Sequence, residues 1–207
     1  MIFKKPFTAG AEHNIYETDN PEKIAKTPRF WNLYSAHKIL EDQMLCRRYL
    51  SQYIPNSEVI SREEDLTALR ANTRYLILQA RVKNPKEITK KIMDEKSEVE
   101  TVMKEIAANN RKMMEKTGAS IEFLGLRNLS RCMLLNLFGD CLPEKTKENL
   151  TPTIPNVVEG DIGNHQGVYL IDTSLLQTRG EFFAKIIAKI FYPIEKFYMR
   201  KFFGLEI

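Results

Sequence analysis

The chain has 207 residues, enough for one generous domain or two small lobes packed together and too many for a disulfide-stapled miniprotein. Hydrophobic residues make up 43% and charged residues 28%, with 9 Gly and 9 Pro, which excludes collagenous, mucin-like and wholly disordered readings. A net charge of +4 is too small a surplus to point to nucleic acid, although it permits phosphate ligands.

The first thirty residues predict a hairpin and a third strand. Ile2 to Phe7 leads into a glycine turn at Thr8-Ala9-Gly10-Ala11-Glu12-His13, then β-prone Ile15-Tyr16, an Asp19-Asn20-Pro21 turn, and Ile24-Ala25-Lys26-Thr27. From Leu33 to about Tyr53 there is no Gly or Pro, and Leu33, Ala36, Leu40 and Met44 recur at helical spacing, so a long helix is expected, ended by Ile54-Pro55-Asn56. Ser57 to Arg62 and Tyr75 to Val82 read as strands, the second with an apolar run, Leu76-Ile77-Leu78, suited to a central position, before Lys83-Asn84-Pro85 breaks it. Residues 86–116, rich in Lys, Glu and Met, predict one or two helices on a solvated surface, stopped by Gly118. The short apolar run Ile121-Glu122-Phe123-Leu124 follows, then a buried helix over Asn128 to Phe138 and a proline-bearing loop over 139–155. A hairpin is expected from Asn156-Val157-Val158 and Val168-Tyr169-Leu170-Ile171-Asp172, flanking a loop of residues 160–167.

The last segment, 181–203, is helical and amphipathic. Phe183, Ile187, Ile190 and Ile194 mark one side while Lys185, Lys189, Lys196 and Arg200 mark another. Two readings stand: a core helix with snorkelling lysines, which is favoured, or a basic amphipathic helix for an anionic membrane or a partner's groove. Cys46, Cys132 and Cys141 are odd in number, with no C-x-x-C, and predict free thiols in a reducing compartment. His13, His37 and His165 have no metal-ligand spacing with them, so no zinc site is expected. Neither a membrane-spanning stretch nor a secretory signal is visible, which points to the cytoplasm.

A glycine turn, a lysine on the third strand, an acid on the next helix and a late strand ending in Asp occur in an order that resembles the protein-kinase-like fold. Gly10 precedes Ile15 by five, as the second glycine precedes the valine in G-x-G-x-x-G-x-V, and Thr8 and His13 stand where the other glycines would be. Ile24-Ala25-Lys26 is similar to the V-A-I-K strand, and Val168-Tyr169-Leu170-Ile171-Asp172 to the strand that ends in the D-F-G aspartate, with Thr173-Ser174 in place of Phe-Gly.

The resemblance implies an α+β, two-lobed protein-kinase-like domain. Residues 1–82 would form an N-lobe of small antiparallel β-sheet with one long helix, and 83–207 a reduced, mainly helical C-lobe holding the 156–172 hairpin. It implies ATP- and Mg²⁺-dependent phosphoryl transfer to a protein or small-molecule hydroxyl, or else a catalytically inactive kinase-like binding module. The nucleotide would be held by Gly10, Lys26 and Glu41, with Asp42 and Gln43 as alternatives to Glu41, and the metal by Asn156 and Asp172. The catalytic loop has two registers. In the first, Asn156 is the metal-binding Asn and Thr151 falls where the base should be; in the second, Asn156 takes the base position and Asp161 the metal position. The first is preferred because it gives two strands of usable length. His165 is expected to be merely an exposed turn residue. The implied partners are a nucleotide and a protein substrate or partner, with no nucleic acid and with peripheral membrane contact not favoured. Only 35 residues follow Asp172, which suits a compact bacterial kinase or an effector delivered into a host cytosol.

Overall fold

The computed structural model describes residues 6–9, 13–28, 35–61, 75–173, 175–177 and 182–207, and within them the chain is α+β, built from antiparallel sheets and six α-helices. Strands β1 (Pro6–Ala9), β2 (His13–Glu17) and β3 (Lys23–Pro28) form a meander. The turn into β3 is fixed by Thr18, whose hydroxyl donates to the Asn20 carbonyl at 2.8 Å, and by Asn20, whose side chain accepts from the Glu22 N–H at 2.9 Å. Two later strands, β4 (Ser57–Ile60) and β5 (Leu76–Ala80), complete a five-stranded sheet of order β1-β2-β3-β5-β4. The Leu76-Ile77-Leu78 run thus lies between two neighbours, where apolar side chains are buried on both faces.

Between β3 and β4 runs helix α1 (Ala36–Leu50), started by Ser35, whose hydroxyl accepts from the Lys38 N–H. Its first half lays Ile39 on the sheet with Tyr75 and Ile77. Its second half puts Cys46 and Leu50 into a larger apolar core shared by the rest of the chain.

The stretch after β5 departs from expectation. Lys83-Asn84-Pro85 opens a strand, β6 (Lys83–Ile88), which pairs with β8 (Ile154–Ile162); β8 in turn pairs with β9 (His165–Leu170). Pro85 has no N–H to give a ladder, but β6 is an edge strand and its register shifts between Lys83 and Lys86, so the missing donor is tolerated. Gly160 permits the close approach of these strands, since a Cβ there would lie 2.5 Å from Val82 Cγ1 and 2.7 Å from the Lys83 carbonyl. The loop expected over 160–167 is mostly strand: Ile162 faces His165, and the turn shrinks to Gly163 and Asn164, with Gly163 at positive φ.

Helices α2 (Lys90–Glu95) and α3 (Ser97–Thr117) divide the Lys/Glu/Met-rich stretch. The buried residues of α3, Val99, Met103, Ile106, Ala107, Asn110 and Met113, form one helical stripe, and Gly118 ends it in the left-handed conformation. Strand β7 (Ala119–Ile121) pairs antiparallel with β10 (Leu175–Gln177), Ile121 opposite Leu175, which brings the residues just after β7 beside the chain that leads into β10. Helix α4 (Gly125–Phe138) is not buried throughout as its composition suggests: Leu129 and Cys132 enter the core, whereas Met133, Leu134, Leu137 and Phe138 are exposed. A short helix α5 (Glu144–Asn149) occupies part of the expected loop. Helix α6 (Phe182–Tyr198), continued by a π turn over Met199–Phe203, buries Ala188, Glu195 and Tyr198 but turns Ile186, Ile190 and Phe197 outward. It is core on one side only. The side chains of Phe183 and Ile187 lie outside the described residues. Cys46 and Cys132 are buried free thiols and Cys141 is an exposed one. Among the described residues no helix is long and apolar enough to cross a membrane.

Candidate functional site

Alternation along β3 decides which way its lysine points. Ala25 packs with Leu76 on one face of the sheet, so Lys26 takes the other, paired with Ile77 and beside the Gln79 that faces Ile24. There it is 9% exposed, and its Nζ donates to the Ile171 carbonyl at 2.5 Å, across 145 residues of sequence. Burial lowers the Lys26 pKa, and the neighbouring Asp172 carboxylate works in the opposite direction.

Asp172 reaches this place because β9 pairs with β8 and the Ile171 N–H donates to the Asn156 carbonyl at 2.9 Å. One end of the hairpin therefore carries Asn156, Ile171 and Asp172 together. Asp161 is not brought there: five residues along β8 put it about 16 Å away, near the turn, where Asn84 Nδ2 donates to its Oδ2 at 3.2 Å. His165 is exposed at that same far end. Thr151 is exposed and caps the end of α5, its N–H donating to the Glu148 carbonyl.

A residue that spacing did not single out stands near Asn156. Asn156 Nδ2 donates to the Glu122 carbonyl at 2.7 Å, tying the start of β8 to the residue just after β7. The Glu122 pKa is raised, first by burial and then by the Asp172 carboxylate. Two buried polar groups fix this loop. Asn110 on α3 accepts from the Ile121 N–H at 2.9 Å and donates to Ser120 Oγ at 3.0 Å. Glu195 on α6, 3% exposed, accepts the Leu124 N–H at 2.7 Å and also bonds the Phe123 N–H, while its Oε2 is buried without a partner. Burial outweighs those two bonds, with Glu122 adding to it, and pushes the Glu195 carboxyl up to about 8.

A small cleft opens where the sheet meets this end of the hairpin, lined by His13, Lys26, Gln43, Gln79, Asp172 and Thr173 among others; the space holds about one water molecule. His13 is buried with its Nε2 3.0 Å from the Tyr75 hydroxyl, and burial lowers its pKa to about 4. Gln79 Oε1 is buried and unpartnered. On α1 the helix phase turns Glu41 to solvent, 3.3 Å from His37, so it does not meet Lys26. Gln43 lines the cleft instead, and Asp42 is buried in an ion pair with Lys38. Cys46 Sγ lies 3.7 Å from the Thr173 carbonyl, and burial holds the thiol well above its usual range. Gly10 lies outside the described residues.

Among the described residues no three His, Cys, Asp or Glu side chains converge into a metal site of protein ligands alone. Mg²⁺ asks less of a protein, because it keeps waters and takes phosphate oxygens; the Asp172 carboxylate and the Asn156 amide oxygen would be the hard donors available to it at this end of the hairpin. No family model, no curated protein and no solved structure matches this chain.

Proposed function

We propose that the chain is a compact, two-lobed kinase-like phosphotransferase that uses ATP and Mg²⁺. The observation that carries this reading is that Lys26 and Asp172 line one small cleft, with Asn156 bonded through its backbone to Ile171 and through its side chain to Glu122, whose carboxyl feels the Asp172 charge. The β1-β2-β3-β5-β4 sheet with α1 inserted between β3 and β4 supports the N-lobe assignment over residues 1–82. Residues 83–207 are then the C-lobe.

In this reading Lys26, lifted off the Ile171 carbonyl, neutralises phosphate oxygens of the nucleotide, and its buried surroundings make that charge count for more than in water. Asp172 and Asn156 hold Mg²⁺, which when bound shields the phosphate charge against an incoming hydroxyl. Glu122 supplies the carboxylate missing at position 151: with its pKa raised, it orients the acceptor hydroxyl and takes its proton. The loop is held by Asn110 and Glu195 rather than by contacts with nucleotide, so the site keeps its shape between turnovers.

The test is thermal shift followed by transfer. ATP with Mg²⁺ at a hundredfold excess over Kd should stabilise the wild type by about 2.7 kcal/mol and leave Lys26→Met and Asp172→Asn nearly unshifted. Label from γ-labelled ATP should then appear on a protein or small-molecule acceptor in lysate. The small size of the cleft is the observation behind a second reading, a kinase-like binding module without activity: a nucleotide shift in the wild type with no label transferred to any acceptor would support it, and absence of any shift would overturn the nucleotide site itself.

A further inference from the structure

Helix α6 has three faces. Ala188, Glu195 and Tyr198 point into the core, while Ile186, Ile190, Pro193 and Phe197, at i, i+4, i+7 and i+11, form one outward row. Ile190 is 54% exposed and Phe197 53%. Lys185, Lys189 and Arg200 flank the row and are themselves exposed. Beside it α4 shows a second apolar face, with Leu137 66% and Phe138 53% exposed, and Lys201 donates to Asn136 to join the ends of the two helices.

Charge says what such a surface fits. Residues 125–138 and 182–207 hold seven of the 31 Lys and Arg but only two of the 27 acids, leaving 24 against 25 in the rest of the chain. The cationic surplus of the protein therefore sits on these two segments, the helices and the π turn and tail that follow α6. Of the two acids, Glu195 is buried with its carboxyl pushed up to about 8, and Glu206 neutralises Arg200 at 2.9 Å. A second copy of the chain would bring like charges face to face. An anionic lipid surface offers what this arrangement lacks, an apolar layer for the isoleucines and phenylalanine beneath a layer of negative headgroups for the lysines, whose long stems span the two.

We propose that the α4/α6 face docks on anionic membrane, with α6 lying in the interface and Ile186, Ile190 and Phe197 entering the headgroup boundary. The full chain should co-sediment with phosphatidylcholine vesicles containing about one-third phosphatidylglycerol. It should bind at least about tenfold more weakly to pure phosphatidylcholine, and lose binding as salt rises well above about 0.1 M. Ile190→Asp with Phe197→Asp should abolish binding, and Lys185→Glu with Lys189→Glu should weaken it about tenfold or more, both with an unchanged melting temperature because the sites are exposed. Since none of these residues lines the cleft, nucleotide-induced stabilisation should be the same in every variant, whether or not the wild type shows any. The proposal is overturned if the wild type ignores anionic vesicles, if the folded apolar-row variant still binds them, or if the face instead mediates concentration-dependent self-association in light scattering. Retention on an acidic polypeptide without vesicle binding would likewise overturn it, in favour of a protein partner.

Discussion

Replacing Glu195 with Gln should reshape the pH dependence of stability. Burial pushes the Glu195 carboxyl up to about 8 in the folded chain, from the 4.5 of an ordinary glutamate. Because the folded value is the higher one, stability is full below pH 4.5 and is lost as pH rises towards 8, where the unfolded chain has ionised and the folded one has only begun to. Each pH unit in that window costs about 1.4 kcal/mol, so between pH 5 and 8 this one group removes about 3 to 4 kcal/mol. Glu122 titrates in the same direction, so the quantity to follow is the difference between wild type and variant. Glu195→Gln keeps an oxygen for the Leu124 and Phe123 N–H groups and cannot ionise. It should be no better than wild type at pH 5, where its amide must find room beside the unpartnered Oε2 position, and should gain on it by about 3 kcal/mol at pH 8, or about 6–12 °C in melting temperature. Urea melts at half-unit intervals would show this. Parallel profiles for the two proteins would refute the buried, protonated carboxyl, and with it the account of how α6 holds the loop.

Glu122→Gln should leave the ATP-induced thermal shift intact while lowering phosphoryl transfer about 10²- to 10⁴-fold in a labelled-ATP assay, since only the proton-accepting group is lost. Asn156→Ala should weaken the Mg²⁺ dependence of nucleotide binding, and Asp161→Ala should not, because the hairpin puts them at opposite ends; calorimetry with and without Mg²⁺ separates the two registers. His13, with its pKa lowered from 6.5 to about 4, acts with the opposite sign to Glu195: stability present above pH 6.5 is lost as pH falls towards 4, by up to about 3 kcal/mol, and His13→Gln should flatten that acid limb in the same melts.

Sequence reading reaches the elements whose signal is local. The glycine-free run that becomes α1, the apolar run of β5 and the left-handed stop at Gly118 each follow from neighbouring residues alone. It singles out Lys26 and Asp172 through the kinase-like order of motifs, and both line the same cleft. What it misses depends on distant partners. Pro85 reads as a breaker unless β8 is known to pass on one side only, and the outward face of α4 looks like core because composition does not say what covers a helix. Helix phase separates Glu41 from Gln43, and it cannot be fixed without knowing which side meets the sheet. Glu122 stands 34 residues before Asn156, with α4 and α5 between them, so a rule built on a gap of four residues passes it over. One signal was available: Glu122 is a single acid inside an otherwise apolar stretch, and Glu195 is the only acid in a run whose one other charge is Lys196, where an ionised side chain would be costly without partners.

The bond from Lys26 to the Ile171 carbonyl bears on selectivity among anions. A ligand that needs the ammonium competes with a group tethered in place, so its apparent Kd is weakened by the fraction of molecules in which the lysine is released. A single phosphate or sulfate, with one cluster of oxygens to offer, gains little beyond the bond it breaks. A triphosphate that also engages Asp172 and Asn156 through its metal has further contacts to set against that loss. In the proposed nucleotide site the internal carbonyl would act as a filter, making the resting protein indifferent to small anions and responsive to a ligand long enough to reach across the cleft.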